Sequence, residues 1–231
     1  MRSTEKTYEI VIAYVKKMIM NRDLLVGEKL PPEREIAEHL QVSRNSVREA
    51  IRIMDMTGII SSQQGSGNYI TCDFQKSMVE TMSMMFAMDK ITPSHISQVR
   101  RALEIQAFSM AVKYATEEEI IQIETYVNEM DAADNDDEHN AQLDKNIHYT
   151  LAKLSRNVLI IDILESLSAV VDIFIRNMRT EILNTEERKG GLNECHYRLV
   201  DALRERDVNK GIDAMNLHFD MIDAFLKEEK L

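Results

Sequence analysis

Residues 30–51 read LPPEREIAEHLQVSRNSVREAI, and no other stretch restricts the fold so tightly. Pro31 and Pro32 suit the first turn of a helix, where a missing N–H leaves nothing unpaired, so they are expected to open one. Glu33 and Glu35 favour the positive end of that helix, and Ile36, Ala37 and Leu40 give it a buried face. Gln41-Val42 makes a turn, and Ser43 is a good N-cap for the next helix. On that helix Val47, Ala50, Ile51 and Met54 share one side, while Arg44, Arg48 and Arg52 follow at i, i+4 and i+8 on another. With no acid interleaved on the row, the arginines call for an anionic counterpart. Ser43, Asn45 and Ser46 crowd the helix start with short hydrogen-bonding side chains, as on a helix that reads base edges in a major groove. Gly58 stops the helix.

Upstream, Tyr8, Val11, Ile12, Val15 and Ile19 recur at three- and four-residue spacing and predict an amphipathic first helix, with Gly27 behind it. Downstream, Ile59-Ile60 and Tyr69-Ile70 read as short strands, with Gly65 and Gly67 permitting the turn between them. A hairpin after such a helix is a wing. A merely solvated arginine face is the alternative, but turn, cap, arginine row and wing occur together and in order, which favours DNA.

The net charge of −11 suits a DNA binder only once it is divided. The first 72 residues hold 10 basic and 9 acidic side chains, and the rest hold 18 and 30. An acidic body repels phosphate, so local arginines must supply the contacts. The asymmetry predicts two domains, 1–72 and 78–228, joined by a linker over Cys72–Ser77. No apolar run approaches the ~20 residues of a membrane span, the N-terminus lacks a signal-peptide core, and Cys72 and Cys195 make no disulfide framework, so a cytoplasmic location is expected.

Residues 30–70 resemble the winged helix-turn-helix of the GntR family of bacterial transcription regulators, in LPPEREIAEHLQVSRNSVREAIRIMDMTGII and in the wing QQGSGNYI. The resemblance implies that Arg34, Ser43, Arg44, Asn45, Ser46, Arg48 and the wing glycine Gly65 contact operator DNA. Pro32 stands where the family usually has a capping residue, at a loss of ~1 kcal/mol partly offset by its pre-set φ.

From Met78 onward the pattern is almost wholly helical, with breaks at Lys90–Pro93, Asp131–Asn140, Ser155–Asn157, Asn184–Gly191 and Arg206–Asp207. That predicts six or seven helices in a compact all-α domain, so the chain as a whole is mainly α. Met78, Met82, Met84, Met85 and Met88 crowd one helix, where packing in the core or between domains is expected. DAADNDDEHN, residues 131–140, lacks the glycine and closing glutamate of a calcium loop and reads as a solvated connection. Cys195 points away from its neighbour His196 and reads as a small core residue.

Histidines carry the sharper signal. Asp144 and His148, at i and i+4, project from one helix face. His196 shares an inward stripe with Leu199, Val200 and Leu203, and His218 shares one with Met215, Ile222 and Phe225. Three imidazoles and a carboxylate on inward faces need partners. A divalent ion (Zn²⁺, Ni²⁺, Fe²⁺ or Mn²⁺) would satisfy all four together; by spacing alone, ordinary core hydrogen bonds serve equally well.

Residues 78–228 also resemble the FadR-type ligand-binding (FCD) domain in its metal-binding subset, through Asp-x-x-x-His at 144–148, the histidine opening HYRLVDAL and a histidine in the last helix. The resemblance implies Asp144, His148, His196 and His218 as ligands, zinc foremost, with Arg100 in VRRALEIQAFSMAV lining an effector pocket. Cys195 stands where the family often has a glutamate or glutamine. The implied function is that of a homodimeric regulator and not an enzyme, most often a repressor, acting on a palindromic operator under control of a small organic acid. A regulator for which the metal itself is the signal is the alternative.

Overall fold

In a computed structural model of the chain, the Ser43 hydroxyl accepts the backbone N–H of Ser46 at 3.1 Å, and the arginine-bearing helix begins there. Residues 6–133, 137–174 and 186–228 are described. They fall into two compact units, Met1–Met78 and Val79–Leu231.

The first unit contains α1 (Thr7–Met20), α2 (Glu33–Leu40), α3 (Arg44–Met56) and an antiparallel hairpin of β1 (Ile60–Gln63) and β2 (Gly67–Ile70), with Ile60 opposite Ile70 and Gln63 opposite Gly67. Val11, Val15, Ile36, Val47, Ala50, Met54, Ile60 and Ile70 form its core. The prolines differ from expectation: they precede α2, with Pro32 as N-cap and its carbonyl accepting the Ile36 N–H at 3.2 Å. Pro31, which precedes a proline, is pushed towards extended backbone, and Pro32 takes the extended backbone of the cap (ψ 141), so the helix starts at Glu33. Gln41 closes α2 in the left-handed region (φ 54). The strands extend further towards the tip than their apolar ends suggest, and Gly67 (φ 122) lies within β2. Gly58 (φ 77) follows the C-cap Thr57, and a Cβ there would sit 1.7 Å from the Asp73 carbonyl oxygen.

Seven helices of the described residues follow: α4 (Gln75–Ala87), α5 (Pro93–Tyr114), α6 (Glu117–Ala132), α7 (Asp137–Leu154), α8 (Val158–Phe174), α9 (Glu186–Glu205) and α10 (Val208–Glu228). Helix α5 packs on α7, α8 and α10, and α9 packs on α6 and α10. Phe108 abuts Gly211 while Arg101 reaches Asp220 and Asp223, so α5 and α10 run antiparallel.

The break between α5 and α6 was legible in Thr116-x-x-Glu119 but is absent from the predicted breaks. The Thr116 side chain accepts the Glu119 N–H at 3.3 Å and the Glu119 carboxylate accepts the Thr116 N–H at 2.9 Å, a reciprocal cap. Much of 131–140 is helical, since α6 ends at Ala132 and α7 starts at Asp137; residues 134–136 of that predicted loop lie outside the described residues. Residues 184–185 of the break predicted at Asn184–Gly191 also lie outside them, and Gly190 and Gly191 are already helical. The methionine helix α4 meets the core expectation in part: Met82 is half-buried and packs against the core with Val79 and Phe86, while Met84, Met85 and Met88 are exposed. Among the described residues, no helix is long and apolar enough to cross a membrane.

Candidate functional site

On α3 the apolar side turns inward, with Val47, Ala50, Ile51 and Met54 all buried. That packing leaves Arg44, Arg48 and Arg52 on the open side, together with Ser43 and Asn45; Ser46 is half-buried and its hydroxyl meets that of Ser43 at 2.9 Å. The row is not free of acid, as its sequence suggested. Glu33, at the start of α2, accepts from the Arg48 Nε at 2.8 Å, and Glu38 accepts from the exposed Arg34 at 2.7 Å. Periodicity within α3 could not reveal a partner from another helix. Such exposed pairs are worth under ~1 kcal/mol and yield readily to phosphate. Among the described residues, Arg44 and Arg52 have no ion pair. Gly65 stands at the wing tip with φ 76 and open space around it.

In the second unit, α7 supplies Asp144 and His148, α9 supplies His196 and α10 supplies His218. The stripes foreseen for the last two helices are buried as a whole. One donor atom from each of the four residues lies within 4.8 Å of the others, so the group could hold a metal ion. The rings pack as a triangle, with centroids 5.5 Å (His148–His196), 4.6 Å (His148–His218) and 5.1 Å (His196–His218) apart. Asp144 Oδ1 lies 3.5 Å from His148 Nε2 and 3.4 Å from His196 Nε2. All six imidazole nitrogens are buried without an aligned hydrogen bond. Ordinary core histidines have such bonds, because an unpaired buried polar group is costly. The donor set, three nitrogens and a carboxylate oxygen, is one a borderline divalent ion accepts. The residues therefore fit a metal.

Sequence reasoning missed Glu104. It is buried on α5, four residues after Arg100, and the i, i+4 spacing was its only signal. Arg100 Nε donates to Glu104 Oε1 at 2.8 Å, while Glu104 Oε2 lies 2.5 Å from His148 Nδ1. Arg100 is thus on the inward side of α5, beside the cluster, with Phe219 under its guanidinium. Arg101 also lies over the Phe219 ring but is half-exposed and pairs with Asp220 and Asp223.

The electrostatics follow from this crowding. Burial works to raise the Glu104 pKa, but Arg100 and then His148 overcome it and hold the group at about 2. Burial also works against charge on His148, but Glu104 and Asp144 push it up to about 9. Asp144 is held well below the usual range: burial opposes its charge, and His148 and His196 outweigh that. Burial lowers His196, and lowers His218 strongly with help from His148. A proton in the metal-free cluster therefore belongs on His148, between two carboxylates.

Comparison with known proteins agrees with both halves. Residues 7–70 match the family described as bacterial regulatory proteins, gntR family, and residues 95–221 match the FCD domain. The HTH-type transcriptional regulator LutR of Bacillus subtilis is 28% identical over 90% of this chain and 96% of that protein. The Glc operon transcriptional activator of Escherichia coli is 24% identical over 86% and 80% respectively. A solved structure, Streptococcus agalactiae GntR, superimposes with a TM-score of 0.66 at 27% identity, covering 93% of this chain and 98% of that one. The exposed arginine helix with its wing and the helical unit behind it are parts of one design, and the chain belongs to the GntR family as a DNA-binding transcription regulator with an FCD domain.

Proposed function

We propose that operator binding by this regulator is controlled by a small carboxylate bound beside a divalent metal ion, zinc foremost, held by Asp144, His148, His196 and His218. The observation that carries this reading is that one donor atom from each of the four buried residues lies within 4.8 Å of the others, with no imidazole nitrogen in an aligned hydrogen bond. A bound divalent ion would satisfy the four donors and offer a Lewis-acidic position to a carboxylate oxygen. Charge favours an anionic effector. With neutral histidines, Arg100, Glu104 and Asp144 sum to −1, so a divalent ion leaves a buried surplus of one positive charge. A compact carboxylate would neutralise it, and Arg100, buried beside the cluster, is the proposed partner for its charge.

On the DNA side, Arg34, Ser43, Arg44, Asn45, Ser46, Arg48 and the wing glycine Gly65 are the proposed contacts, supported by the exposure of Arg34 on α2, of Ser43, Arg44, Asn45 and Arg48 at the start of α3 beside half-buried Ser46, and of Gly65 at the wing tip. Two copies of the chain, residues 1–72 reading DNA and 78–228 sensing, would face a palindromic operator in the cytoplasm. Effector binding shifts the equilibrium between states that present the two winged units differently. Repression relieved by the effector is the proposed polarity, although one relative is an activator.

The test is fluorescence anisotropy on duplexes selected from a random pool, titrated with zinc, with a panel of small hydroxy, sugar and dicarboxylic acids, and with both. Zinc and one acid together should shift operator affinity where neither alone does. A shift with zinc alone instead supports a regulator for which the metal is the signal, a reading favoured by a donor set already complete within the protein. No zinc uptake by the purified protein would sink both.

A further inference from the structure

We propose that Glu104 is the positioning carboxylate of the histidine cluster: Oε2 takes the Nδ1–H of His148 and leaves Nε2 as the donor atom, while Oε1 holds Arg100. The proposal rests on the cluster being a metal site and adds the residue that orients one of its ligands. An imidazole can present either nitrogen, and the partner of the second nitrogen decides which. In His148 the two nitrogens face different neighbours. Nε2 points at Asp144 Oδ1, 3.5 Å away, an atom that His196 Nε2 also approaches to 3.4 Å. Nε2 thus looks into the shared centre. Nδ1 looks outward at Glu104 Oε2, 2.5 Å away. Neither of these atoms has an aligned hydrogen bond elsewhere, and at 2.5 Å they face each other.

Arg100 explains why the carboxylate stays where it is. It pairs with Oε1 from one turn away on the same helix, both side chains being almost fully buried. Neutralised on one side, Glu104 can remain ionised in the interior and accept on the other. One carboxylate then serves a metal ligand and the arginine proposed for the effector, so metal occupancy and anion binding share a residue. A glutamine at 104 has a single acceptor oxygen and can serve only one of the two.

Cobalt(II) is a suitable probe, since its visible bands report the ligand field directly. The experiment uses the full-length protein: wild type, Glu104→Gln, and the apolar pair Arg100→Met with Glu104→Met, which leaves no buried charge unpaired if the single variant fails to fold. Melting in chelator establishes folding for each. Loss of an orienting carboxylate of this kind lowers metal affinity ~10–100-fold. We expect Glu104→Gln near the lower figure, the double variant near the upper, and altered cobalt bands in both. Folded variants that bind cobalt within about twofold of wild type, with unchanged bands, overturn the proposal alone, being below any orienting effect. A wild-type protein that takes up no cobalt overturns the metal reading and this proposal with it.

Discussion

His218→Leu distinguishes a metal ligand from a core histidine by the sign of its effect on stability. His218 is 1% exposed, and both ring nitrogens lack a hydrogen bond. A buried polar group without a partner costs ~1–3 kcal/mol. Leucine has similar bulk and no polar atom, so the metal-free variant should be more stable than wild type by ~1–2 kcal/mol. It also removes one of the four donors. With zinc at 100 times Kd, the wild type gains ~2.7 kcal/mol while the three-donor variant gains little. The order of stabilities therefore reverses between chelator and zinc. Urea unfolding followed by far-UV circular dichroism, under both conditions, reads the two midpoints. A variant less stable than wild type in chelator, with a wild-type midpoint that zinc leaves unmoved, would mean that His218 is an ordinary core residue and the reasoning is wrong.

Above pH 6.5, where the lowered His196 and His218 are already neutral in both folded and unfolded states, the metal-free protein should lose stability with rising pH. The His148 pKa is raised from 6.5 to about 9, so its contribution is complete below pH 6.5 and is lost as pH passes 9, a fall of up to ~3 kcal/mol in urea titrations; a flat profile would refute this. Metal must displace that proton, so zinc affinity measured by calorimetry should rise with pH over the same range and uptake should release protons. Gly58→Ala forces a Cβ to within 1.7 Å of the Asp73 carbonyl at a positive φ, whereas Gly65→Ala meets only the positive φ. The first should cost well over ~2 kcal/mol and weaken DNA binding, the second ~1 kcal/mol, and equal midpoints would contradict the packing. Arg44→Ala should lower affinity for the selected operator by ~1–3 kcal/mol while sparing non-specific DNA, as gel-shift competition would show.

Much of this architecture was legible because its signals are local. Ser43 caps α3 through atoms three residues apart, and the inward face of α3 follows from a 3.6-residue period. The same period gives the stripes that bury His196 and His218. Pro31-Pro32 misled by one residue because the preset φ of a proline suits an N-cap as well as a first turn, and Pro32 takes the cap. The methionine helix was legible only in part because apolar composition does not say which side chains a neighbour covers: Met82 packs on the core, and Met84, Met85 and Met88 do not.

What the sequence determined alone was the kind of elements and the faces they bury: a capped arginine helix with a wing, followed by helices that turn Asp144, His148, His196 and His218 inward. Local hydrogen bonding and side-chain periodicity act within a few residues, so they are written in the chain. Only the tertiary structure decided that four donors from three helices meet within 4.8 Å, that Glu33 answers Arg48, and that Glu104 stands between Arg100 and His148. Those relations depend on how helices far apart in sequence pack against one another, and side-chain spacing along one helix carries no information about the helix beside it.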